Sequence, residues 1–136
     1  MSEENVEVVR QLFDAVARHD TETVLDAYDP DVEYDFSRSP LVSLIGSATY
    51  HGHDGMRQWV RDRYEAWETI EDDCQELIDA GQHVISFVVS RGRGRSSGVE
   101  TELKHYGVWT IRDGKITRVV WVYTREDALE AAGLSE

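Results

Sequence analysis

Cysteine is nearly absent from this sequence, since Cys74 is the only one among 136 residues. An internal disulfide is therefore excluded, and the residues around Cys74 do not resemble a metal site. Long apolar runs are also missing, because none approaches the roughly 20 residues that a membrane-spanning helix needs. The N-terminal run MSEENVEVVR lacks the basic and apolar regions of a signal peptide. These absences predict a cytoplasmic protein that has no membrane as a partner.

Positive charge is scarce as well. The chain has 27 acidic and 14 basic residues, which gives a formal net charge of −13. Such a field repels phosphate backbones, so we do not expect nucleic acid as a partner. The one basic cluster, Arg91, Arg93 and Arg95, lies in the run RGRGRSSG. A run so rich in Gly and Ser is typical of a hairpin tip, and a weak RGG-like RNA-binding segment is the alternative.

What the chain does contain is enough for one hydrophobic core. Its hydrophobic fraction is 40%, and its length of 136 residues corresponds to a single domain over residues 1–136. Helical spacing of apolar residues predicts a helix over 3–19, a short helix over 21–28 with Asp20 as its N-cap, and a third helix over about 54–68 with Asp54 as its cap.

The remaining segments indicate strands and turns. In the first strand, Val32 to Phe36, the apolar side chains alternate with Glu33 and Asp35. Residues 37–52 are predicted to form a loop over a cavity mouth. From residue 72 onward strands are predicted over 74–80, 83–91, about 99–111 and 116–124, followed by a helix over 125–134. Helices grouped before an antiparallel run of strands predict an α+β domain.

Three runs carry a resemblance to a known family: YHGHDGMRQWVRDRYEAWE, LIDAGQHVISFVVSRGRGRSSGVE and VWTIRDGKITRVVWVYTREDALEAAGL. They resemble the SnoaL-like branch of the nuclear transport factor 2-like superfamily. The resemblance implies a cone-shaped, curved mixed or antiparallel sheet wrapped around the N-terminal helices, with a central pocket. Its most specific pieces are turns, so it is informative about fold and weak about chemistry.

Known active residues of that superfamily do not carry over to this chain. The tyrosine, general base and oxyanion-hole aspartate of ketosteroid isomerases fall at Leu12, Phe36 and about Gly107, although Asp35 lies one residue from the second position. A ketosteroid isomerase mechanism is therefore not expected. For the Asp–Arg–Asp set of the epoxide hydrolases, only Arg63 is present as a plausible arginine.

The best candidate for proton transfer is His105. Strand alternation places it on one face with Gly107, Trp109 and Ile111, and the resemblance turns this face toward the pocket. A neutral imidazole can both accept and donate a proton near pH 7. The alternative is a packed or surface histidine that makes one backbone hydrogen bond.

Tyr34 and Tyr123 are candidates to orient a ligand oxygen with their hydroxyl groups. Asp35 is a candidate base only if a bulge rotates it inward. Ordinary core tyrosines and an outward carboxylate are the alternatives. The full set of predicted pocket-lining residues is Phe13, Phe36, Trp59, Arg63, Trp109, Trp121 and Tyr123.

Each lining residue also has a structural interpretation, because aromatic stripes usually form core and Arg63 can simply pair with an acidic side chain. His51 and His53 lack a third ligand, so no metal is predicted, and no cofactor motif is present. The pattern favours a pocket for a small apolar molecule, either a cofactor-free enzyme of cyclase, isomerase or hydratase type or a non-catalytic binding or dimerisation module. The apolar outer face around Val108, Val120 and Val122 predicts a homodimer.

Overall fold

A computed structural model describes residues 2–38 and 49–134 of the chain. Its helices and strands, in chain order, are α1 (Ser2–Ala17), α2 (Thr21–Asp26), β1 (Tyr28–Asp35), β2 (Thr49–His51), α3 (Gly52–Ala66), β3 (Trp67–Ala80), β4 (His83–Gly94), β5 (Glu100–Arg112), β6 (Lys115–Val122) and α4 (Arg125–Ala131). Most of the loop predicted over residues 37–52 lies outside the described residues, and its end forms the short strand β2.

The strands of the described residues form one six-stranded mixed sheet in the order β2-β1-β6-β5-β4-β3. Strand β1 pairs with β6 in parallel, and the other neighbours are antiparallel. The sheet is curved and unclosed, and α1, α2 and α3 pack on its inner face. This confirms the predicted α+β cone with a mixed sheet.

The N-terminal helices form where they were predicted, but α1 buries a somewhat different face. Val9, Leu12 and Ala15 form the buried stripe of α1 at spacings of three residues. Asp20 is the N-cap of α2, because its carboxylate accepts a hydrogen bond from the backbone N–H of Thr23 at 3.3 Å. The Asp20 cap confirms the prediction from capping chemistry. The buried stripe was only partly predicted, since the apolar spacing also indicated Phe13 and Val16, which are half-buried, and did not indicate Leu12 or Ala15.

The boundaries of α3 and β3 correct the sequence prediction. Helix α3 begins at Gly52, and its N-cap residue is His51 instead of Asp54, whose exposed carboxylate pairs with Arg57 at 2.7 Å. Trp67, predicted as helical, is the first residue of β3 and is buried. The strand begins there because its first residues pair with the end of β4, an interaction that helical spacing does not reveal.

Helix α4 lies apart from the other helices. It packs on the outer face of the sheet, where Ala128 and Ala132 join Val108, Val120 and Val122 in a second apolar cluster. These valines were predicted to be an exposed dimer face. They are buried because the chain's own C-terminal helix covers them.

Two turns use backbone conformations in the left-handed region. Asp113 and Gly114 have φ values of 52° and 77°, as a tight hairpin between β5 and β6 requires, and Gly133 has a φ of 77° after the end of α4. None of the described helices is long and apolar enough to cross a membrane.

Candidate functional site

A cavity of about 30 Å³ lies inside the cone, between the sheet and α3. This volume is enough for about two water molecules. The residues that line the cavity are Tyr34, Phe36, Trp59, Arg63, Trp67, Ile70, Asp72, Ser90, His105 and Trp121. Aromatic rings form most of the wall, and the ionisable groups come from α3, β3 and β5.

His105 is held in this cavity by β5. Its side chain is only 3% exposed, and its ring stacks on Trp121 with centroids 4.4 Å apart and an interplanar angle of 25°. The ring nitrogen Nε2 lies 2.9 Å from Ser90 Oγ. The other ring nitrogen, Nδ1, is buried and has no hydrogen-bond partner in the part of the chain that the structure describes.

A chain of polar contacts extends from His105 toward α3. The hydroxyl of Ser90 donates to Asp72 Oδ1 at 2.7 Å, and Arg63 Nη2 donates to Asp72 Oδ2 at 2.8 Å. A serine hydroxyl has only one hydrogen, so the bond between Ser90 and His105 must be donated by the imidazole N–H. His105 therefore carries its proton on Nε2, and Nδ1 is left with a lone pair.

Burial makes His105 a neutral base. Desolvation lowers the pKa of His105, the Asp72 carboxylate opposes this shift, and the Arg63 charge adds to it, so that the resulting pKa is about 4. At pH 7 the imidazole is therefore uncharged and can accept a proton. Arg63 itself pairs with an acidic side chain, as the structural interpretation of its sequence position expected.

Tyr34 supplies a hydroxyl to the same cavity. Its oxygen accepts a hydrogen bond from Trp121 Nε1 at 2.9 Å, which leaves the phenol hydrogen available as a donor. Burial raises the pKa of Tyr34 well above its usual value, so the phenol stays protonated. Its ring is held between Phe36 and Trp59, with centroids 4.9 and 5.3 Å away.

Three buried polar atoms of the cavity walls lack a protein partner among the described residues: Trp59 Nε1, Arg63 Nε and His105 Nδ1. The first two are donors and the third is an acceptor. Trp59 and Arg63 also line a smaller cavity of about 20 Å³ beside the start of α2. Buried polar atoms without partners are uncommon in folded proteins, so three of them on residues that line this cavity favour a site for a polar group.

Four of the residues predicted for the site lie elsewhere. Tyr123 is 47% exposed, because β6 ends at Val122 and its last inward-facing residue is Trp121. Asp35 lies on the face of β1 opposite Tyr34, where its carboxylate accepts from the backbone N–H of Ser37 at 2.7 Å. The register of β1 does shift, but between Tyr28 and Glu33, which leaves Asp35 in that position.

The other two are aromatic residues that pack beside the cavity. Phe13 contacts Trp109 edge to face, with centroids 5.6 Å apart. Trp109 is buried, and its indole N–H donates to Ser86 Oγ at 2.9 Å. Both rings therefore complete the core behind Trp121 instead of lining the cavity.

Sequence reasoning missed four lining residues: Trp67, Ile70, Asp72 and Ser90. Ser90 had a readable signal, because Val84, Ser86, Val88 and Ser90 alternate on one face of a strand otherwise rich in valine, and a serine there needs a partner. Asp72 had none, since it lies among acidic neighbours in the run ETIEDD and the start of β3 was placed too late.

Metal binding has no support in the described part of the chain, where no three His, Cys, Asp or Glu side chains are grouped to hold an ion. His53, one of the two histidines flanking Gly52, donates from Nε2 to the carbonyl oxygen of Tyr28 at 2.9 Å. It thereby links the first turn of α3 to the beginning of β1.

Comparison with known proteins agrees with this architecture. A solved NTF2-like protein of unknown function from Burkholderia pseudomallei is 23% identical over 93% of this chain and 95% of its own, with a TM-score of 0.79. TerC, co-crystallised with polyporic acid, is 22% identical over 96% and 98%, with a TM-score of 0.78. A Mycobacterium tuberculosis protein in complex with estradiol-17beta-hemisuccinate is 14% identical over 90% and 95%, with a TM-score of 0.73.

At these identities the solved structures establish the shared fold. No curated protein sequence matches the chain. The sequence profile of the SnoaL-like domain, however, matches residues 9–119, which is most of the chain. The chain therefore belongs to the SnoaL-like domain family.

Proposed function

We propose that this chain binds a small, largely apolar molecule in the cone and that His105 transfers a proton to or from it without a cofactor. The single observation that carries the proposal is the state of His105: a buried, neutral imidazole at a cavity wall, whose Nδ1 has no hydrogen-bond partner among the described residues. The lone pair of such a base is present at pH 7 without prior loss of a proton.

The neighbouring groups suit a substrate that carries an oxygen atom. Tyr34 O–H and Trp59 Nε1–H are donors that can stabilise negative charge on a carbonyl or enol oxygen while His105 removes a proton nearby. Phe36 and Trp121, whose ring planes lie within 7° of parallel, supply apolar walls for a ring system. Cyclisation, isomerisation and hydration are the reaction classes that need this combination.

The solved relatives support the choice of ligand. Polyporic acid and estradiol-17beta-hemisuccinate, crystallised with two of them, are ring compounds that bear oxygen atoms. A non-catalytic binding module is the second candidate, and it is favoured by the small volume of the cavity, about 30 Å³. A ring compound enters only if aromatic side chains such as Trp59 move.

A thermal-shift screen of oxygenated polycyclic and terpenoid compounds, followed by turnover assays on the hits, separates the candidates. His105→Gln is the informative variant, since its amide N–H still reaches toward Ser90 while the basic Nδ1 is lost. We expect it to bind the hit and to lose about 100-fold or more in kcat. His83→Gln, which alters a half-buried histidine bonded to Thr110 away from the cavity, is the matched control.

Two outcomes decide the question. If His105→Gln turns over a confirmed substrate as fast as the unmodified protein, His105 is not the base. If hits bind and none is converted by the unmodified protein, the non-catalytic module is the better description.

A homodimer through the outer sheet face remains part of this proposal. The exposed apolar surface that supports it is smaller than the sequence indicated, because α4 covers the valines there. The half-buried ring pair of Phe87 and Tyr106, with centroids 5.0 Å apart, is an apolar surface that remains on this face among the described residues.

A further inference from the structure

We propose that Ser90 and Asp72 form a proton relay that connects His105 in the cavity with a groove on the protein surface. The relay deepens the function proposed above and rests on it for its use. It assigns roles to two residues that touch no substrate: Ser90 fixes which imidazole nitrogen is the base, and Asp72 exchanges the proton with solvent.

The direction of the hydrogen bonds supports the first role. Ser90 donates its only hydrogen to Asp72 and accepts the Nε2–H of His105. The carboxylate thus selects the tautomer through the serine, in the way that a second group orients a metal-bound or catalytic histidine. If the Ser90 hydroxyl instead donated its hydrogen to Nε2, the imidazole proton would lie on Nδ1 and the cavity would lose its base.

The position of Asp72 supports the second role. This residue lines the inner cavity and also a groove of about 410 Å³ between α1 and β3. The groove has exposed side chains, Arg10 and Glu76 among them. The side chain of Asp72 is 17% exposed, whereas that of His105 is buried, so the chain of contacts leads from the interior to the surface. Arg63, at 2.8 Å, holds the carboxylate in place.

Every proton that enters the relay is passed on. When His105 Nδ1 takes a proton from the substrate, Nε2 passes its own proton to Ser90 Oγ, and the serine hydroxyl proton moves to Asp72 Oδ1. The imidazole is again neutral, now protonated on Nδ1, and Asp72 is a neutral acid that releases its proton to water in the groove. Running the steps backward returns a proton to the substrate.

The tautomer is measured directly by long-range 1H–15N correlation of the full chain with labelled histidine at pH 7. His105→Gln identifies the His105 signals among the five histidines. We expect a neutral imidazole protonated only on Nε2. Ser90→Ala should lose this single form, with Nδ1–H signal appearing or the Nε2–H signal lost to exchange.

Ser86→Ala is the matched control for this measurement. It removes another buried serine hydroxyl from the same face of β4, one bonded to Trp109, and should leave the His105 signals unchanged. If Ser90→Ala keeps the pure Nε2–H form, or if the unmodified protein carries Nδ1–H, the assignment of Ser90 is overturned.

Asp72→Asn tests the exchange with solvent. The amide oxygen of asparagine still accepts from Ser90, so the Nε2–H form should persist, but the amide cannot take up the serine proton. We expect exchange of the His105 Nε2–H with water to slow several-fold relative to the backbone N–H of Tyr106. An unchanged or faster relative exchange would remove Asp72 as the outlet.

Asp72→Asn leaves Arg63 without its partner, and this risks misfolding. The double variant Arg63→Met/Asp72→Asn carries the same test without a buried unpaired charge. None of these measurements needs a substrate. If the relay fails these tests, His105 can still be the base. If His105 proves not to be needed for turnover, the measured tautomer is unaffected. The two failures are therefore distinguishable.

Discussion

At the scale of single residues, His105 makes the stability of the chain depend on pH. Its pKa is about 4 in the folded chain, against an ordinary value of 6.5. Between these values the unfolded chain binds a proton that the folded chain does not, so the free energy of unfolding falls as pH is lowered from 6.5 toward 4 and levels off below. From pH 7 to pH 5 this term amounts to about 2 kcal/mol.

Urea unfolding at pH 7 and pH 5 measures this effect. The pH-dependent loss of stability should be smaller in His105→Gln by about that amount. Burial also lowers the pKa of His83, which is less enclosed, so His83→Gln should reduce the loss to a lesser degree. Equal pH dependence in the unmodified protein and His105→Gln would contradict the buried neutral state on which the proposed function depends.

At the scale of elements, the packing of β4 against β5 depends on the absence of a side chain at Gly107. A Cβ there would lie 2.9 Å from both Ser86 Oγ and Trp109 Nε1, and 3.1 Å from Trp121. Gly107→Ala should therefore displace these groups and lower the free energy of unfolding by about 1–3 kcal/mol, as overpacking of a core does.

The design of a double-mutant cycle follows from the same contacts. Because Ser86→Ala removes one of the two closest atoms, the cost of Gly107→Ala should be smaller in that background, and chemical denaturation of the four proteins measures the coupling. Additive costs would indicate that the strand pair relaxes around the new methyl group.

How much of this was readable from the sequence differs between elements. Alternation in β1 placed Tyr34 and Phe36 inward, and the chemistry of Asp20 marked the start of α2, because local patterns determine both. The beginning of β3 was not readable, since residues 67–73 are mostly acidic and become a strand only by pairing with the end of β4. Asp72 was hidden for that reason, and with it the relay.

The geometry within the cavity could not be predicted from the sequence either. The sequence spacing of Arg63, Asp72, Ser90 and His105 does not predict that they are linked by hydrogen bonds, because they come from α3, β3, β4 and β5. The size of the cavity depends on how the aromatic rings interlock, and that is a property of packing and not of pattern.

At the scale of the whole molecule, the proposed homodimer depends on the outer face of the sheet. Helix α4 already buries Val108, Val120 and Val122 there, so a second copy would contact the helix and the neighbouring pair of Phe87 and Tyr106. The formal charge of −13 opposes association of two copies and is screened by salt, so the apolar ring pair has to provide the attraction.

Size-exclusion chromatography with light scattering, at micromolar concentration and at two salt concentrations, tests the homodimer. We expect a dimer whose dissociation is favoured at low salt, and Tyr106→Lys should convert it to a monomer because it places an ammonium group in the apolar contact. Val99→Lys, at an exposed residue of the β4–β5 connection, is the control that should leave the dimer intact. A monomer in the unmodified protein at both salt concentrations would mean that α4 is sufficient cover for this face and that the cone works as a single copy.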